Sequence, residues 1–408
     1  MLLEAVEREE EMKNRAMVLL LLAGLFFSRV AFAEIILLKS GKTVEGRVTE
    51  RTNKYIRIDF HGVQLTFFLD EVERINGARV NVISKERQDH NSVASLEFLM
   101  AGVPKPIGEK RDYDAIFSML KASGVDAVCM TFLYKESPPR SLGYEPDFLP
   151  PCDPNKQPWK ALKKYKIKLL VPGEIAYPVS EPLPALENDP LKQLIACLGR
   201  EGIIGVYSYD EPTFRDLLEP CRRLYERVKT VDPGIPVMII HGPLFAGAIG
   251  EGNNPPSITQ AQIDGHLAKF KEYSKYADIV GFDFYPIPKN IANLTSPFAD
   301  RNVVDYRQAI RDYLSWLRKE VPFKKYILAL QGFSYTDIFE GNVVEEARMA
   351  GARYPTREEL QEMFLLSKEE GASYVIFWGQ TCLDVSGLTF WDELLNAIKE
   401  ERNGGVFP

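Results

Sequence analysis

Eight short apolar segments alternate with helical patterns from residue 93 onward, at 93–99, 125–132, 167–171, 203–209, 237–240, 279–285, 326–330 and 374–378. Nearly continuous apolar strands are typical of parallel sheets that are buried on both faces. Eight strand–helix repeats are what a (β/α)8 barrel requires. We therefore predict an α/β fold, a (β/α)8 TIM barrel, over residues 93–400. An open doubly wound sheet is disfavoured because no strand is followed by a G-x-G-x-x-G turn.

The helical patterns carry start and stop signals. Apolar residues spaced three and four apart run from Phe214 to Val228, and Asp232-Pro233-Gly234 then stops the predicted helix. A later helix is predicted to begin at Thr356, because Glu359 three residues further on gives the spacing of a capping box.

Residues 34–76 show short alternating strands separated by turns, at 35–38, 43–49, 55–60 and 63–69. This pattern predicts a small all-β module, which resembles SH3-like or Sm-like barrels. A module of this size buries little surface, so we expect it to contact the barrel or cell-envelope material. Residues 77–92 are mostly polar and are predicted to be a linker.

Residues 1–33 have the pattern of an export signal peptide. Lys13 and Arg15 precede the apolar run 17–27, and Ala31-Phe32-Ala33 matches a cleavage site. The run is shorter than the roughly 20 residues that span a bilayer, so no transmembrane segment is predicted beyond the signal. We expect an exported protein, periplasmic or extracellular. The alternative is retention as an uncleaved or lipid-proximal anchor.

The net charge and the cysteine and histidine content disfavour several kinds of ligand and site. The net charge of -7 and the lack of a basic block disfavour nucleic acid. The five cysteines include no C-x-x-C pair, which disfavours a zinc knuckle and a dense disulfide framework. In an exported chain this odd number leaves at least one thiol unpaired or paired between molecules. We predict no metal and no cofactor, because the four histidines lack H-x-H and H-x-x-x-H spacing.

Polar and aromatic residues stand at the carboxyl ends of the predicted strands, where barrel enzymes build their active sites. Asp210 and Glu211 are the most conspicuous, because two adjacent carboxylates follow the run 203–209 and precede Pro212. Aromatic faces suit sugar rings, and carboxylates and amides suit their hydroxyls, so a carbohydrate substrate is expected. The other candidates, mainly for substrate binding, are Tyr134, Glu174, His241, Asp283, Tyr285, Gln331 and Trp378, with Gln380 also at a strand end.

The segment Tyr209-Asp210-Glu211-Pro212 resembles the end of strand four in the (β/α)8 glycoside hydrolases, where a glutamate is the general acid. Further likenesses lie at 277–286, 328–333, 354–360 and 370–378. The resemblance implies a glycosidase in which Glu211 donates the proton. A helix beginning at Phe214 would offer Asp210 and Glu211 a structural role instead, at its N-terminus.

The chain departs from this pattern at the end of strand seven, where retaining members carry a nucleophilic glutamate and this sequence has Gln331. An amide cannot form the glycosyl-enzyme intermediate. One explanation is substrate assistance as in β-hexosaminidases, with Asp210 orienting a 2-acetamido group and Tyr285 bonded to the cyclised intermediate. A second is a partner carboxylate from Asp283 or Glu174.

A third explanation is a non-catalytic barrel that binds glycans or acts as a scaffold. A metal-dependent hydrolase using Asp210, His241 and Asp283 is least favoured. If Glu211 is the acid, burial or repulsion from Asp210 must raise the pKa of its carboxyl group.

Overall fold

The computed structural model describes residues 34–38, 43–51, 55–60, 63–68, 72–76, 78–79, 95–129, 152–246, 259–298, 303–339 and 341–404. The chain divides into two compact units, Met1–Ser92 and Val93–Pro408. Among the described residues, no helix combines the length and the apolar character needed to cross a membrane.

The first unit contains an antiparallel sheet with the strand order β4-β3-β2-β1-β5-β6. Its strands are β1 Glu34–Leu38, β2 Thr43–Arg51, β3 Tyr55–Phe60, β4 Val63–Phe68, β5 Val72–Ile75 and β6 Ala78–Arg79. A core of Ile36, Ile56, Ile58, Val72 and Ile75 holds the sheet together. The predicted all-β character is confirmed, and β5 and β6 extend the sheet beyond the predicted strands. β6 lies within the segment 77–92 predicted as a linker, whose remainder, 77 and 80–92, lies outside the described residues.

The second unit contains eight parallel strands, β7 Glu97–Met100, β8 Ala127–Cys129, β9 Lys168–Pro172, β10 Ile203–Tyr207, β11 Val237–His241, β12 Ile279–Phe284, β13 Lys325–Gln331 and β14 Tyr374–Trp378. They form a closed barrel in the order β10-β11-β12-β13-β14-β7-β8-β9, which confirms the predicted TIM barrel.

Helices surround the barrel and return the chain to the start of each strand. They are α1 Lys105–Gly108, α2 Tyr113–Ala122, α3 Trp159–Tyr165, α4 Gly173–Ala176, α5 Pro190–Leu198, α6 Leu218–Val231, α7 Gln260–Tyr273, α8 Lys289–Ala292, α9 Tyr306–Glu320, α10 Tyr335–Ile338, α11 Asn342–Met349, α12 Arg357–Glu369 and α13 Leu388–Arg402. The predicted capping box of Thr356 and Glu359 opens α12. The helix predicted from Phe214 begins only at Leu218, after a segment of turns.

Strand residues alternate between the barrel interior and the helix layer. On β12, Ile279 belongs to an apolar cluster made of strand residues, whereas Val280 and Phe282 pack with residues of the helices. Gly281 faces inward and lets the neighbouring strand approach, because a Cβ atom there would lie 1.7 Å from the Ile327 carbonyl oxygen. With a period of two, Asp283 also points into the barrel, at the end where an active site is built.

One disulfide, between Cys152 and Cys197, ties the chain before α3 to α5, with the two Cα atoms 5.9 Å apart. This separation is normal for a disulfide. A single bridge agrees with the expectation that the cysteines do not form a dense framework.

Candidate active site

Asp210 and Glu211, the catalytic candidates that follow β10, lie in an irregular turn between this strand and α6. Glu211 has φ 39°, in the left-handed region that residues other than glycine rarely adopt. Such strained positions cluster at functional sites, where the surrounding structure holds them. Asp210 and Glu211 therefore do not act as N-terminal caps of a helix, because α6 starts seven residues after Glu211, at Leu218.

Glu211 and Asp283 meet in the barrel mouth through a hydrogen bond between their carboxyl groups. Burial, reinforced by the negative charge of Asp210, raises the pKa of Glu211 from 4.5 to about 7. Burial and the charges of Glu211 and Asp210 raise the pKa of Asp283 well above its usual range. The direction expected for Glu211 is thus found, and both carboxyl groups of the pair favour the protonated form.

Asp210 lies beside this pair and is held by Tyr207 at the end of β10 and by Glu174 of α4, which follows β9. The Tyr207 hydroxyl donates a hydrogen bond of 2.7 Å to Asp210 Oδ1. The Asp210 backbone N–H donates to Glu174 Oε1 at 3.3 Å. Burial raises the pKa of Asp210, and the Tyr207 hydrogen bond opposes that rise. Asp210 is therefore oriented by a fixed donor.

Glu174 is not an open carboxylate facing the pocket, because Arg215 forms an ion pair with it. Arg215 also donates to the Asp210 carbonyl oxygen at 3.4 Å. The pair therefore clamps the turn that carries Asp210 and Glu211, which is a positioning role rather than the substrate contact that was predicted.

An aromatic wall continues from Asp283. Tyr285 is hydrogen-bonded to Asp283 through its side chain and stacks on Trp378 with ring centroids 5.5 Å apart. Phe333 meets both rings edge-on, at 5.1 Å from Tyr285 and 5.6 Å from Trp378. Tyr285 and Trp378, predicted from separate strand ends, are thus brought together next to the carboxyl pair.

Gly242, directly after β11, also lies against the acid. A Cβ atom on Gly242 would stand 2.6 Å from Glu211 Oε1 and 2.0 Å from Phe214 Cε2. The space that a side chain would take is therefore filled by the carboxyl group and by an aromatic ring. Any larger residue at this position would displace one of them.

The prediction that His241 lines the pocket is wrong. His241 is fully buried in the helix layer, with its ring centroid 3.7 Å from that of Phe270 on α7. Its neighbours Met238 and Ile240 face the interior, so the period of two sends His241 outward. Neither ring nitrogen bonds a protein atom, and burial depresses its pKa well below the usual range.

Gln331 lies at the end of β13 as expected, but its amide group binds the backbone. Nε2 donates to the carbonyl oxygens of Ile287 at 2.8 Å and Phe333 at 2.9 Å. Oε1 accepts from the Ile287 N–H at 2.9 Å. Both amide hydrogens are occupied, so Gln331 fixes the loop after β12 and is not placed as a substrate ligand. Gln380 is also fully buried and donates to the carbonyl oxygens of Gly102 and Phe377.

Tyr134 lies outside the described residues. Within the part of the chain that the structure describes, no group of three or more histidine, cysteine, aspartate or glutamate side chains is arranged to hold a metal ion. The three residues of the metal-dependent hypothesis are not brought together, because His241 faces away from Asp210 and Asp283.

The sequence interpretation missed Tyr207, Gly242, Phe214 and Phe333. A register irregularity on β10, between Ile203 and Gly205, sets Tyr207 on the interior face, and no sequence signal marks it. Phe214 was assigned to a helix. Gly242 was detectable in principle, since it immediately follows a buried strand at the active-site end.

Comparison with known proteins finds structural neighbours of low sequence identity only. No protein-family model and no curated protein matches this sequence. Structural neighbours include a candidate α-L-fucosidase from Bacteroides thetaiotaomicron, with 12% identity and a TM-score of 0.43, over 75% of this chain and 96% of the other. An endo-β-1,4-mannanase from Thermotoga petrophila has 11% identity and a TM-score of 0.41, over 77% and 78%.

A dihydropteroate synthase from Stenotrophomonas maltophilia, an enzyme of a different class, aligns with 11% identity and a TM-score of 0.37, over 78% of this chain and 95% of the other. Likeness at this level carries nothing about the reaction of this chain, which has to be inferred from the site.

Proposed function

We propose that the barrel is a glycoside hydrolase in which Glu211 is the general acid. The observation that carries the proposal is the buried Glu211 carboxyl group, with a pKa of about 7, at the carboxyl end of β10 and hydrogen-bonded to Asp283. A general acid works best when its pKa lies near the working pH. An aromatic wall that suits a sugar ring adjoins the same pair.

In the proposed reaction, Glu211 gives its proton to the glycosidic oxygen as the bond between that oxygen and the anomeric carbon breaks. The leaving sugar departs as an alcohol, and positive charge develops on the anomeric carbon. Glu211 is left as a carboxylate, and the Asp283 hydroxyl donates a hydrogen bond to it. Glu211 then removes a proton from the water that attacks the anomeric carbon, which restores the acid.

Asp283 is a poor nucleophile in this arrangement. It holds its proton, and a neutral carboxylic acid neither attacks carbon nor accepts a proton from water. It is also in hydrogen-bond contact with Glu211, closer than the roughly 5 to 9.5 Å separation that catalytic carboxyl pairs use around a sugar. Its proposed role is therefore to position and stabilise Glu211.

With Gln331 bonded to backbone and Glu174 paired with Arg215, the reaction is best completed by the substrate itself. We propose a sugar with a 2-acetamido group, whose carbonyl oxygen attacks the anomeric carbon and forms a cyclic intermediate that water then opens. Asp210, held by the Tyr207 hydroxyl, would accept the acetamido N–H. Tyr285 lies near Asp210 and therefore near the proposed position of the acetamido group.

The test compares wild-type protein with Glu211→Gln on aryl-glycosides and polysaccharides, with and without 2-acetamido groups. Glu393→Gln, on the exposed face of α13, is the matched control. We expect Glu211→Gln to lose hydrolysis and Glu393→Gln to keep it. Equal activity in all three proteins, or binding of glycans without any turnover, would contradict the proposal. Turnover without preference for 2-acetamido sugars would contradict only substrate assistance.

We also propose that the protein is exported, to the periplasm or beyond the cell. The Cys152–Cys197 disulfide supports this, because such bonds persist mainly in oxidising compartments. Mass spectrometry of the protein from its native compartment tests it: cleavage after Ala33 and an oxidised bridge are expected, and a full-length reduced chain would contradict it.

A further inference from the structure

A second aromatic surface stands beside the acid, at Phe214. Phe214, in the turn between β10 and α6, keeps 51% of its surface exposed although it is a large apolar residue. Its ring edge and Glu211 Oε1 both lie within van der Waals reach of Gly242, where a Cβ atom would be 2.0 Å from the ring and 2.6 Å from Oε1. The exposed ring therefore adjoins the Glu211 carboxyl group.

His266, on α7, supports the Phe214 ring. The two rings stack with centroids 5.2 Å apart and an interplanar angle of 25°. His266 Nε2 donates to the Gly242 carbonyl oxygen at 3.0 Å, which fixes the imidazole. One face of Phe214 is thus covered by a held ring. Its remaining exposed surface is flat, apolar and fixed in place, like the platforms on which sugar rings stack.

The contacts run in one order through the site. Trp378 stacks on Tyr285, Tyr285 bonds Asp283, and Asp283 bonds Glu211. Glu211 then meets Gly242 and the Phe214 ring. The acid thus has two aromatic surfaces near it, the Tyr285–Trp378 wall reached through Asp283 and the Phe214 ring at Gly242.

We propose that Phe214, backed by His266, is the platform for the leaving-group sugar, with the ring to be cleaved lying against Tyr285 and Trp378. This inference rests on the proposed role of Glu211, since a general acid protonates the oxygen of the leaving group and must lie beside it. It deepens that proposal by assigning a ligand class: an oligosaccharide that extends past the cleaved bond, or another leaving group with a flat apolar face.

The kinetic test uses Phe214→Leu, which keeps an apolar side chain but removes the flat face, and Phe214→Tyr, which retains it. Substrates share one cleaved sugar and differ in the leaving group, either a second sugar ring or a methyl group. We expect Phe214→Leu to lower kcat/KM for the disaccharide about 10-fold more than for the methyl glycoside, mainly through KM. Phe214→Tyr is expected to restore most of the loss. Equal losses on both substrates, or no loss on either, would overturn the platform.

Phe323→Leu is the matched control, because Phe323 is also exposed, at 56%, and precedes β13 at the opposite end of the barrel. Folding of each variant is checked by its unfolding transition. Should Phe214→Leu fail to fold, His266→Gln removes the backing ring and keeps a donor for the Gly242 carbonyl oxygen. His266→Gln is expected to lower kcat/KM for the disaccharide more than for the methyl glycoside. If it lowers both equally or neither, the platform is overturned as well.

A binding measurement separates failure of the platform from failure of the proposed function. Calorimetry with Glu211→Gln and a non-hydrolysed oligosaccharide should show about 10-fold weaker binding when Phe214→Leu is added. If wild-type protein hydrolyses nothing but this difference appears, the acid role fails and the platform stands. If hydrolysis depends on Glu211 but the double variant binds equally well, the platform fails and the acid role stands.

Discussion

Replacing Glu211 by glutamine should stabilise the barrel, and the gain should depend on pH in a defined way. The pKa of Glu211 is raised in the folded protein, so the folded state favours the protonated form. Its contribution to stability is therefore greatest below the unfolded pKa of 4.5 and is lost as pH rises through about 7. Glutamine is neutral throughout and resembles the protonated acid, so it does not share this loss.

The magnitude follows from the shift of the pKa from 4.5 to about 7. Each unit corresponds to about 1.4 kcal/mol, so ionising Glu211 in the folded protein costs about 3 kcal/mol relative to the unfolded chain. A typical domain has about 5 to 15 kcal/mol of stability in all. The difference in unfolding free energy between Glu211→Gln and wild type should therefore grow by about 3 kcal/mol between pH 4.5 and pH 7, with little change outside that window.

Urea unfolding followed by tryptophan fluorescence is a suitable assay, because all four tryptophans, Trp159, Trp316, Trp378 and Trp391, lie in the barrel unit. Its signal therefore excludes the small N-terminal sheet. Profiles would be recorded from pH 4 to pH 9 for wild type, Glu211→Gln and the exposed control Glu393→Gln, whose profile should parallel that of wild type. Adding Asp283→Asn to each removes the partner that could itself titrate.

A difference between Glu211→Gln and wild type that stays flat across this window would refute the reasoning. It would mean that Glu211 ionises in the folded protein as it does in water. A difference of opposite sign would mean that a cation stabilises the carboxylate, and the general-acid role would fail with it.

Three further changes probe other parts of the site. Tyr207→Phe removes the hydrogen-bond donor to Asp210. This loss should lower kcat about 10-fold or more and move the acidic limb of the pH–rate profile to higher pH. An unchanged acidic limb would show that Asp210 does not have to be ionised. Gly242→Ala should lower kcat/KM by about 100-fold, because its Cβ would displace the acid or Phe214, while the unfolding midpoint changes less; near-normal activity would contradict the packing described. His241→Leu should raise the unfolding free energy by about 1 to 3 kcal/mol at pH 7. The gain should be larger at pH 5, because the unfolded wild type takes up a proton on His241 there and the folded wild type does not. A large loss of activity would indicate that His241 does line the pocket.

The barrel could be predicted because its strands are buried on both faces and so stand out as apolar runs. The grouping of Glu211 with Asp283 could be predicted as well, since the carboxyl ends of parallel barrel strands open on one face. His241 could not be placed, because a uniformly apolar strand hides which residues face inward. Tyr207 was missed because its orientation depends on a register shift within β10.

Local strain also escaped prediction. The sequence from Phe214 onward has helical spacing, yet the chain turns irregularly until Leu218 and gives Glu211 a positive φ. Tertiary contacts of the turn, including the clamp of Glu174 and Arg215, override the helical propensity. Phe214 is exposed beside the acid as a result, a position that a regular helix would not be expected to produce.

The cost of the carboxyl cluster is itself an argument for function. Two carboxylates elsewhere in the barrel are paired with arginine, Glu362 with Arg307 and Glu400 with Arg357, and their pKa values are lowered. Among the described residues, Glu211 and Asp283 bond each other instead, and burial raises the pKa of both. Buried acids without a cation destabilise a fold. Neutral side chains of the same size would remove this cost. They could not deliver a proton, however, so the presence of acids at these positions indicates that the site needs one.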